Sequence, residues 1–317
     1  MRISVIIPAY NVERFIEKAI TSATQHSEVY EVIVVDDGST DDTCSIIEKL
    51  QKTNAKIKLF YHEGNLNKGR SATRNKAIRE ATGNFISFLD ADDYYLENRF
   101  INDSKVFKNN AGCEGVYNAV GFQFYRQASE QEKKNPMLNT INRVVPPHEL
   151  FEAVVSSKYG YLHLNGLTVK KEVFDTVGYF NENLKVAEDS DFIYKLALKH
   201  SICTGIIDAP LAMRGIHDIN IFDQVEIYKI YNIKMYESVI KWSCENKIAL
   251  SKIDRTLHFL WLFKFKEGNS LFTDSWYWIK FCLTTPRILF SPLWLKYFPV
   301  VRKRQLLFPF IYNIKKR

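Results

Sequence analysis

The chain has 317 residues, 46% of them hydrophobic and 25% charged, a balance that allows a sizeable core and excludes a disordered or fibrous protein. Its formal charge of +7 is unevenly placed: residues 1–221 carry 26 Lys or Arg against 29 Asp or Glu, whereas residues 222–317 carry 17 against 7, with no acid after Asp274. Two regions follow, 1–221 and 222–317, and the basic one is expected to meet a different partner from the first.

Residues 3–7 read as a buried strand broken by Pro8-Ala9-Tyr10-Asn11, and Asn11 is expected to cap a helix with Val12, Phe15, Ile16, Ala19 and Ile20 on one face. Strand, sharp turn and helix make the first half of a βαβ unit. Residues 31–35 form a second strand, which ends in Asp36-Asp37-Gly38-Ser39-Thr40-Asp41-Asp42-Thr43, a turn leading to a helix with Ile46, Ile47 and Leu50. A third strand is predicted over 56–61, a basic loop over 65–70, and a helix over about 71–81 that includes Arg74 and Asn75.

The stretch GNFISFLDADD, residues 83–93, is where chemistry is concentrated. Phe85, Ile86, Phe88 and Leu89 run into Asp90, Asp92 and Asp93, the pattern of a buried parallel strand whose C-terminal edge opens on a polar site. In an extended segment, Asp90 and Asp92 share one side across Ala91 and Asp93 points away. Converging carboxylates suit Mg²⁺ or Mn²⁺. The competing reading is that they end the strand and cap a helix starting near Leu96.

Beyond it the pattern predicts a strand over 115–126, a polar insertion over 128–142, and a helix opened by Pro146-Pro147 and running through Phe151, Ala153 and Val154. A strand over 163–169, a short helix over 171–176 and a loop over 178–185 come next. Val186-Ala187-Glu188-Asp189-Ser190-Asp191 then enters a helix burying Phe192, Ile193, Leu196 and Ala197, where acids favour the helix dipole or serve chemistry. Short strands over 202–207 and 211–216 lead to Arg214 and His217, the latter a structural histidine or a nitrogen ligand.

Alternating strands and helices imply an α/β fold with a mainly parallel sheet flanked by helices, and such sheets bind ligands outside the carboxyl ends of their strands. The three polar strand ends, at 8–11, Asp36-Asp37 and 90–93, are expected to converge. No GxGxxG follows the first strand and no GxxxxGK[ST] is present, so acids holding a metal are the simplest means of neutralising a diphosphate.

The strings SVIIPAYN, EVIVVDDGSTDDT, NKGRSATRNKAI with ATGNFISFLDADD, KKEVFDTVGYFNENL and AEDSDF occur in that order over roughly residues 3–217. As a set they resemble the inverting, metal-dependent glycosyltransferases with the GT-A fold, commonly called family 2. The resemblance implies that Pro8, Ala9, Tyr10 and Glu13 flank a nucleotide, and that Asp37 hydrogen-bonds the base, with Asp36 as second choice. It further implies that Lys68, Arg70 or Arg74 contacts the nucleotide. Asp90-Ala91-Asp92 is similar to the DxD motif, with Asp90 near the ribose and Asp92 on Mn²⁺ or Mg²⁺, and Asp189 resembles the catalytic base. A nucleotide-sugar donor, usually UDP-linked, and a glycan or lipid-linked acceptor are what such enzymes use. The processive QxxRW motif and spanning helices are absent from the sequence, so transfer of one sugar is expected.

Two other readings compete: a sugar-phosphate nucleotidyltransferase, which needs a Gly- and basic-rich loop where PAYNVERF stands, and an inactive relative retained as a membrane or scaffold binder. Outside the resemblance, residues 227–242 and 257–265 read as amphipathic helices. Trp276, Trp278, Trp294, Tyr297, Phe308 and Phe310 then alternate with Lys280, Arg287, Lys296, Arg302-Lys303-Arg304 and Lys315-Lys316-Arg317. That pattern suits an anionic membrane surface, or else a helical cap with a solvated basic face; no nucleic-acid module is visible. Five scattered cysteines without zinc spacing, no cleavable signal after Met1-Arg2 and no long apolar run predict a cytoplasmic protein, peripheral at the inner face of the cell membrane.

Overall fold

A computed structural model describes residues 1–128, 138–217 and 225–307. Within it the chain divides into two compact units, Met1–Val225 and Glu226–Arg317. The first is built on a seven-stranded sheet. Its parallel half comprises β1 (Ile3–Ala9), β2 (Val29–Asp36), β3 (Ile57–Tyr61) and β4 (Phe85–Phe88), in the spatial order β4-β1-β2-β3. Ile3, Val5, Ile6, Ile7, Val32, Ile33, Val34 and Val35 are all fully enclosed, which is why these strands are nearly continuous apolar runs rather than alternating ones. Helices α1 (Ile16–Thr24), α2 (Thr43–Thr53) and α3 (Arg70–Glu80) connect them and pack on the sheet.

Beyond β4 the sheet continues through β9 (Leu167–Lys170), β6 (Gly115–Tyr117) and β10 (Ile202–Thr204), with β9 antiparallel to both of its neighbours. A second sheet holds β5 (Tyr94–Tyr95), β11 (Ala212–Ile216), β7 (Val120–Phe124) and β8 (Leu138–Asn139). The α/β class and mainly parallel sheet expected from the sequence are present. The single strand expected over 115–126 is instead two, in different sheets. The break falls at Asn118, whose side chain donates to Gly166 O and Asp103 Oδ1 and accepts from Ile206 N, so the chain leaves one ladder to satisfy that amide.

Three other local expectations are corrected. Asn11 does not cap α1, which begins at Ile16; it adopts φ 50° and its side chain accepts from Thr40 N at 2.8 Å, tying the end of β1 to the turn after β2. Asn tolerates that left-handed backbone better than most residues. The helix expected near Leu96, α4, spans Ile101–Asn109. Of the strand expected over 163–169, the sheet takes up the chain only from Leu167, because Leu164–Gly166 forms a 3₁₀ turn.

One buried acid helps to close the parallel half. Glu31, 1% exposed, accepts from Ser4 Oγ, Thr82 N, Thr82 Oγ1 and Gly83 N through one oxygen and pairs Lys58 through the other. Burial alone would push its pKa up; Lys58 and the Ser4 and Thr82 donors outweigh that and hold it down at about 2.

The second unit is helical. Val225–Glu245, Leu250–Lys266 and Leu271–Leu283 are followed by four short helices ending at Leu307. Trp278 and Tyr297 lie inside its core rather than on a surface, and Trp278 Nε1 donates to Trp294 O at 3.0 Å. Among the described residues no helix is long and apolar enough to cross a membrane. Phe308, Phe310, Lys315, Lys316 and Arg317, part of the expected basic aromatic pattern, lie outside the described residues, as does most of the insertion expected over 128–142.

Candidate active site

The adjacent parallel strands β1, β2 and β4 end along one sheet edge, and there the three polar strand ends gather. Asp37 N donates to Ala9 O at 2.8 Å, and Leu89 N to Ile6 O at 3.0 Å. Ala9 is buried and Pro8 half-buried, while Tyr10 is 48% exposed at the lip. Glu13 Oε2 accepts from Asp42 N and Glu13 N donates to Asp41, so this residue fastens the loop after β1 to the loop after β2.

The paired aspartates after β2 divide their work. Asp36 Oδ2 accepts from Gly38 N and Ser39 N, forming the turn. Asp37 Oδ1 accepts from Lys68 N at 2.7 Å and Oδ2 from Gly69 N at 2.9 Å, which fixes the loop that enters α3. The three basic candidates are thereby separated. Lys68 lines a cavity of about 320 Å³ with His62, Lys76 and Glu182. Arg70 and Arg74 turn instead to Glu188, at 3.6 Å and 2.9 Å.

Residues 90–93 form a tight turn, Asp93 N donating to Asp90 O at 3.0 Å, and not the extended segment predicted. The simple alternation of sides therefore fails. Asp90 Oδ1 accepts from buried Arg74 at 2.6 Å; burial would raise its pKa, but Arg74 and then His163 hold it well below the usual carboxylate range. Asp92, 27% exposed, lies 2.8 Å from His217 Nε2. Burial and the charge of Asp90 raise its pKa against the pull of His217. Asp93 is enclosed, accepting from Gly215 N at 2.7 Å and from the Asn165 side chain, and burial, Asp92 and Asp90 push its pKa well up. Ala91 is the buried spacer of the turn.

Two groups of donors result. Asp90, Asp93 and His163 offer ligand atoms all within 4.8 Å of one another. Asp92 and His217 form the second, with the His217 ring stacked on Phe15 at 5.2 Å. Hard carboxylate oxygens with an imidazole nitrogen are a donor set that fits Mn²⁺ or Mg²⁺. Within the first group Asp93 already accepts two N–H bonds and His163 Nδ1 accepts one from Asn165 N. In the second group Asp92 Oδ2 and His217 Nε2 face each other at 2.8 Å, both partly exposed.

Asp189 stands in the first turn of the helix Glu188–Lys199. Ala187 before it has φ 63° and ψ 16°, a left-handed conformation that costs a non-glycine residue roughly 1–2 kcal/mol. Glu188 turns inward, 2% exposed, to Arg74. Asp189 remains half-buried, with Oδ1 accepting from Ser190 N at 2.7 Å. His163 links the two sides: burial and then Arg214 lower its pKa, while the charges of Asp90 and Asp189 oppose them. Arg74, bonded to Asp90 at 2.6 Å and to Glu188 at 2.9 Å, ties the start of that helix to the carboxylate turn.

Sequence reasoning gave no role to His163, Asn165 or Arg99, and named Arg214 without one. Arg99 and Asp103 form a fully enclosed ion pair at 2.8 Å, and Arg99 also donates to Asn165 O. Asn165 in turn donates to Asp93 and accepts from Asp90 N, so this pair braces the turn from below. The four-residue spacing of Arg99 and Asp103 was a visible helical signal; His163 and Asn165 carried none.

Residues 4–147 match the family model described as Glycosyl transferase family 2. The chain carries a family 2 glycosyltransferase domain. An uncharacterized glycosyltransferase, EpsJ of Bacillus subtilis, is 31% identical over 200 residues, covering 60% of this chain and 54% of EpsJ. This chain thus spans about half of that relative's length. Among solved structures, TarS residues 1–349 of S. aureus with UDP-GlcNAc is 21% identical with a TM-score of 0.61, covering 82% of this chain and 72% of that one. The mannosyltransferase PcManGT of Pyrobaculum calidifontis with GDP-Man and Mn²⁺ is 17% identical with a TM-score of 0.52, covering 96% and 86%. These likenesses are of fold, and they match the family 2 domain to the GT-A architecture expected from its sequence.

Proposed function

We propose that this enzyme transfers one sugar from a nucleotide diphosphate, UDP in the first instance, to a hydroxyl of a glycan or lipid-linked acceptor, with inversion at the anomeric carbon. The observation that carries the reading is the joining of the 90–93 carboxylate turn to the start of the helix that bears Asp189, through Arg74 bonded to Asp90 at 2.6 Å and to Glu188 at 2.9 Å. Asp189 takes the proton of the acceptor hydroxyl as its oxygen bonds to the anomeric carbon; the bond from that carbon to the diphosphate breaks, and the electron pair leaves with the diphosphate. Asp92, with His217 as nitrogen ligand, would hold Mn²⁺ or Mg²⁺, which when bound supplies positive charge for the departing diphosphate. Pro8, Ala9, Tyr10, Glu13 and Asp37 line the nucleotide's side, with Lys68 or Arg70 as its cation and Asp90 toward the ribose.

The bound UDP-GlcNAc of TarS supports a UDP-linked donor, and GDP-Man in PcManGT makes guanosine donors the first alternative to include. The basic C-terminal unit is proposed to hold the enzyme at an anionic membrane surface, where a lipid-linked acceptor would be presented.

Calorimetry with the full chain and Mn²⁺ is expected to show UDP binding, and UDP-sugars, screened beside GDP-mannose, are expected to be hydrolysed slowly without acceptor. Absence of binding and of turnover with every donor sinks the proposal. Pyrophosphate release from a nucleoside triphosphate and a sugar phosphate would replace it with a nucleotidyltransferase.

A further inference from the structure

The helix Leu271–Leu283 is apolar on two opposite sides. Asp274, Trp278, Phe281 and Cys282 are buried, and Asp274 is matched by Lys303 at 2.6 Å. On the other side Phe272 is 81% exposed, Trp276 54% and Leu283 64%. At about 100° per residue, Phe272, Trp276, Ile279 and Leu283 fall within an arc of about 60°, a stripe roughly 16 Å long at 1.5 Å per residue. Lys280 borders it, with Nζ 5.1 Å over the Trp276 ring. A helix packed by one apolar face ordinarily turns polar residues outward; this one does not.

Charge says what covers the stripe. Residues 275–317 contain 9 Lys or Arg and no Asp or Glu. Within the unit Lys264, Lys296 and Lys303 are paired with Glu267, Asp254 and Asp274, whereas Lys280 stands at the border of the stripe over the Trp276 ring. Large apolar side chains bordered by a long cation are what a helix lying in a headgroup layer needs: the rings enter the acyl boundary and the ammonium reaches back to lipid phosphates. A protein partner would more often present acids to such a border, but no cluster of cations in the stripe demands them.

Resting on the membrane-surface reading above, we infer that the outward stripe of the helix Leu271–Leu283, with Phe272, Trp276 and Leu283 as its inserted side chains and Lys280 at its border, is the face that enters an anionic bilayer. Membrane attachment is then a property of one helix face, and the remaining basic charge acts at longer range.

Vesicles of phosphatidylcholine, alone or mixed with phosphatidylglycerol, test this with the full chain. The wild type is expected to sediment with the mixed vesicles, and Phe272→Ser combined with Trp276→Ser to lose roughly tenfold or more in partitioning, with UDP-sugar hydrolysis unchanged. As a measurement that does not depend on a polar substitution, brominated lipid is expected to quench wild-type fluorescence and to quench Trp276→Phe far less. Equal binding and equal quenching in the variants would overturn the inference while leaving membrane attachment standing. Failure of the wild type to bind either vesicle would overturn both. A wild type that dimerises without lipid and a double variant that is monomeric would assign the stripe to contact between copies, again overturning it.

Discussion

Arg74 Nη2 donates to Asp90 Oδ1 at 2.6 Å, and the arginine is only 4% exposed. A cation enclosed to that degree must be matched, and its other arm meets Glu188 at 2.9 Å. One guanidinium therefore joins α3, the carboxylate turn and the first residue of the helix that carries Asp189.

Arg74→Met is expected to leave the buried Glu188 and the partly exposed Asp90 without the cation they share and to cost about 3–5 kcal/mol. Urea unfolding followed by circular dichroism measures it; a midpoint within error of the wild type would remove Arg74 from this role. Arg74→Lys keeps the charge but not the fork, and should fall between the two.

Asp189→Asn is expected to lower turnover by about 10²–10⁴ while UDP affinity in calorimetry stays within roughly twofold, since a general base acts on the reaction rather than on donor binding. Equal loss of binding and rate would instead point to a structural part at the start of its helix.

Removing metal should stop the reaction. With EDTA the wild type is expected to lose donor turnover and to regain it on adding Mn²⁺ in excess. Asp92→Asn, which withdraws one charged oxygen ligand, should need at least roughly tenfold more Mn²⁺ for half-maximal UDP binding. Unchanged Mn²⁺ titration in that variant moves the metal to the neighbouring group of Asp90, Asp93 and His163.

Glu31 sets a pH dependence of stability. Its folded pKa of about 2 lies below the ordinary carboxylate value of 4.5, so its contribution is complete above about pH 4.5 and is lost as the pH falls from there toward 2. The difference corresponds to on the order of 3 kcal/mol. In Glu31→Gln the thermal midpoint should be lower at neutral pH, and the gap to the wild type should close on acidification. A constant gap across that range contradicts it.

At Gly215 a Cβ would come 2.5 Å from Asp92 O and 3.0 Å from Tyr125 Cε2. The first of these is backbone, so the carboxylate turn itself must shift. Gly215→Ala is expected to cost about 1–3 kcal/mol and to weaken Mn²⁺-dependent UDP binding; a variant with unaltered binding would mean the turn yields without consequence.

Much of the first unit could be read from the chain because its parallel strands are buried on both faces, and continuous apolar runs ending in small polar residues leave few other structures open. The gathering of the ends of β1, β2 and β4 followed from that order. The turn at 90–93 did not, since alternation assumes extension and the Asp93 N bond to Asp90 O is a local choice set by Asn165 and Gly215, distant in sequence. The same holds for the split at Asn118, where one amide's three partners come from residues 103, 166 and 206. Position along the chain carries no trace of such pairings. In the second unit the aromatic pattern was visible but its division was not: Trp278 and Tyr297 went inward, Trp276 outward.

Ala187, held at φ 63° immediately before Glu188 and Asp189, makes the start of that helix a place where durability and aim are opposed. A glycine there would relieve the backbone and harden the protein to heat, yet it would also let the helix entrance swing. Selection for thermal resistance alone would therefore drift toward a sturdier molecule in which the Asp189 carboxylate no longer points one way.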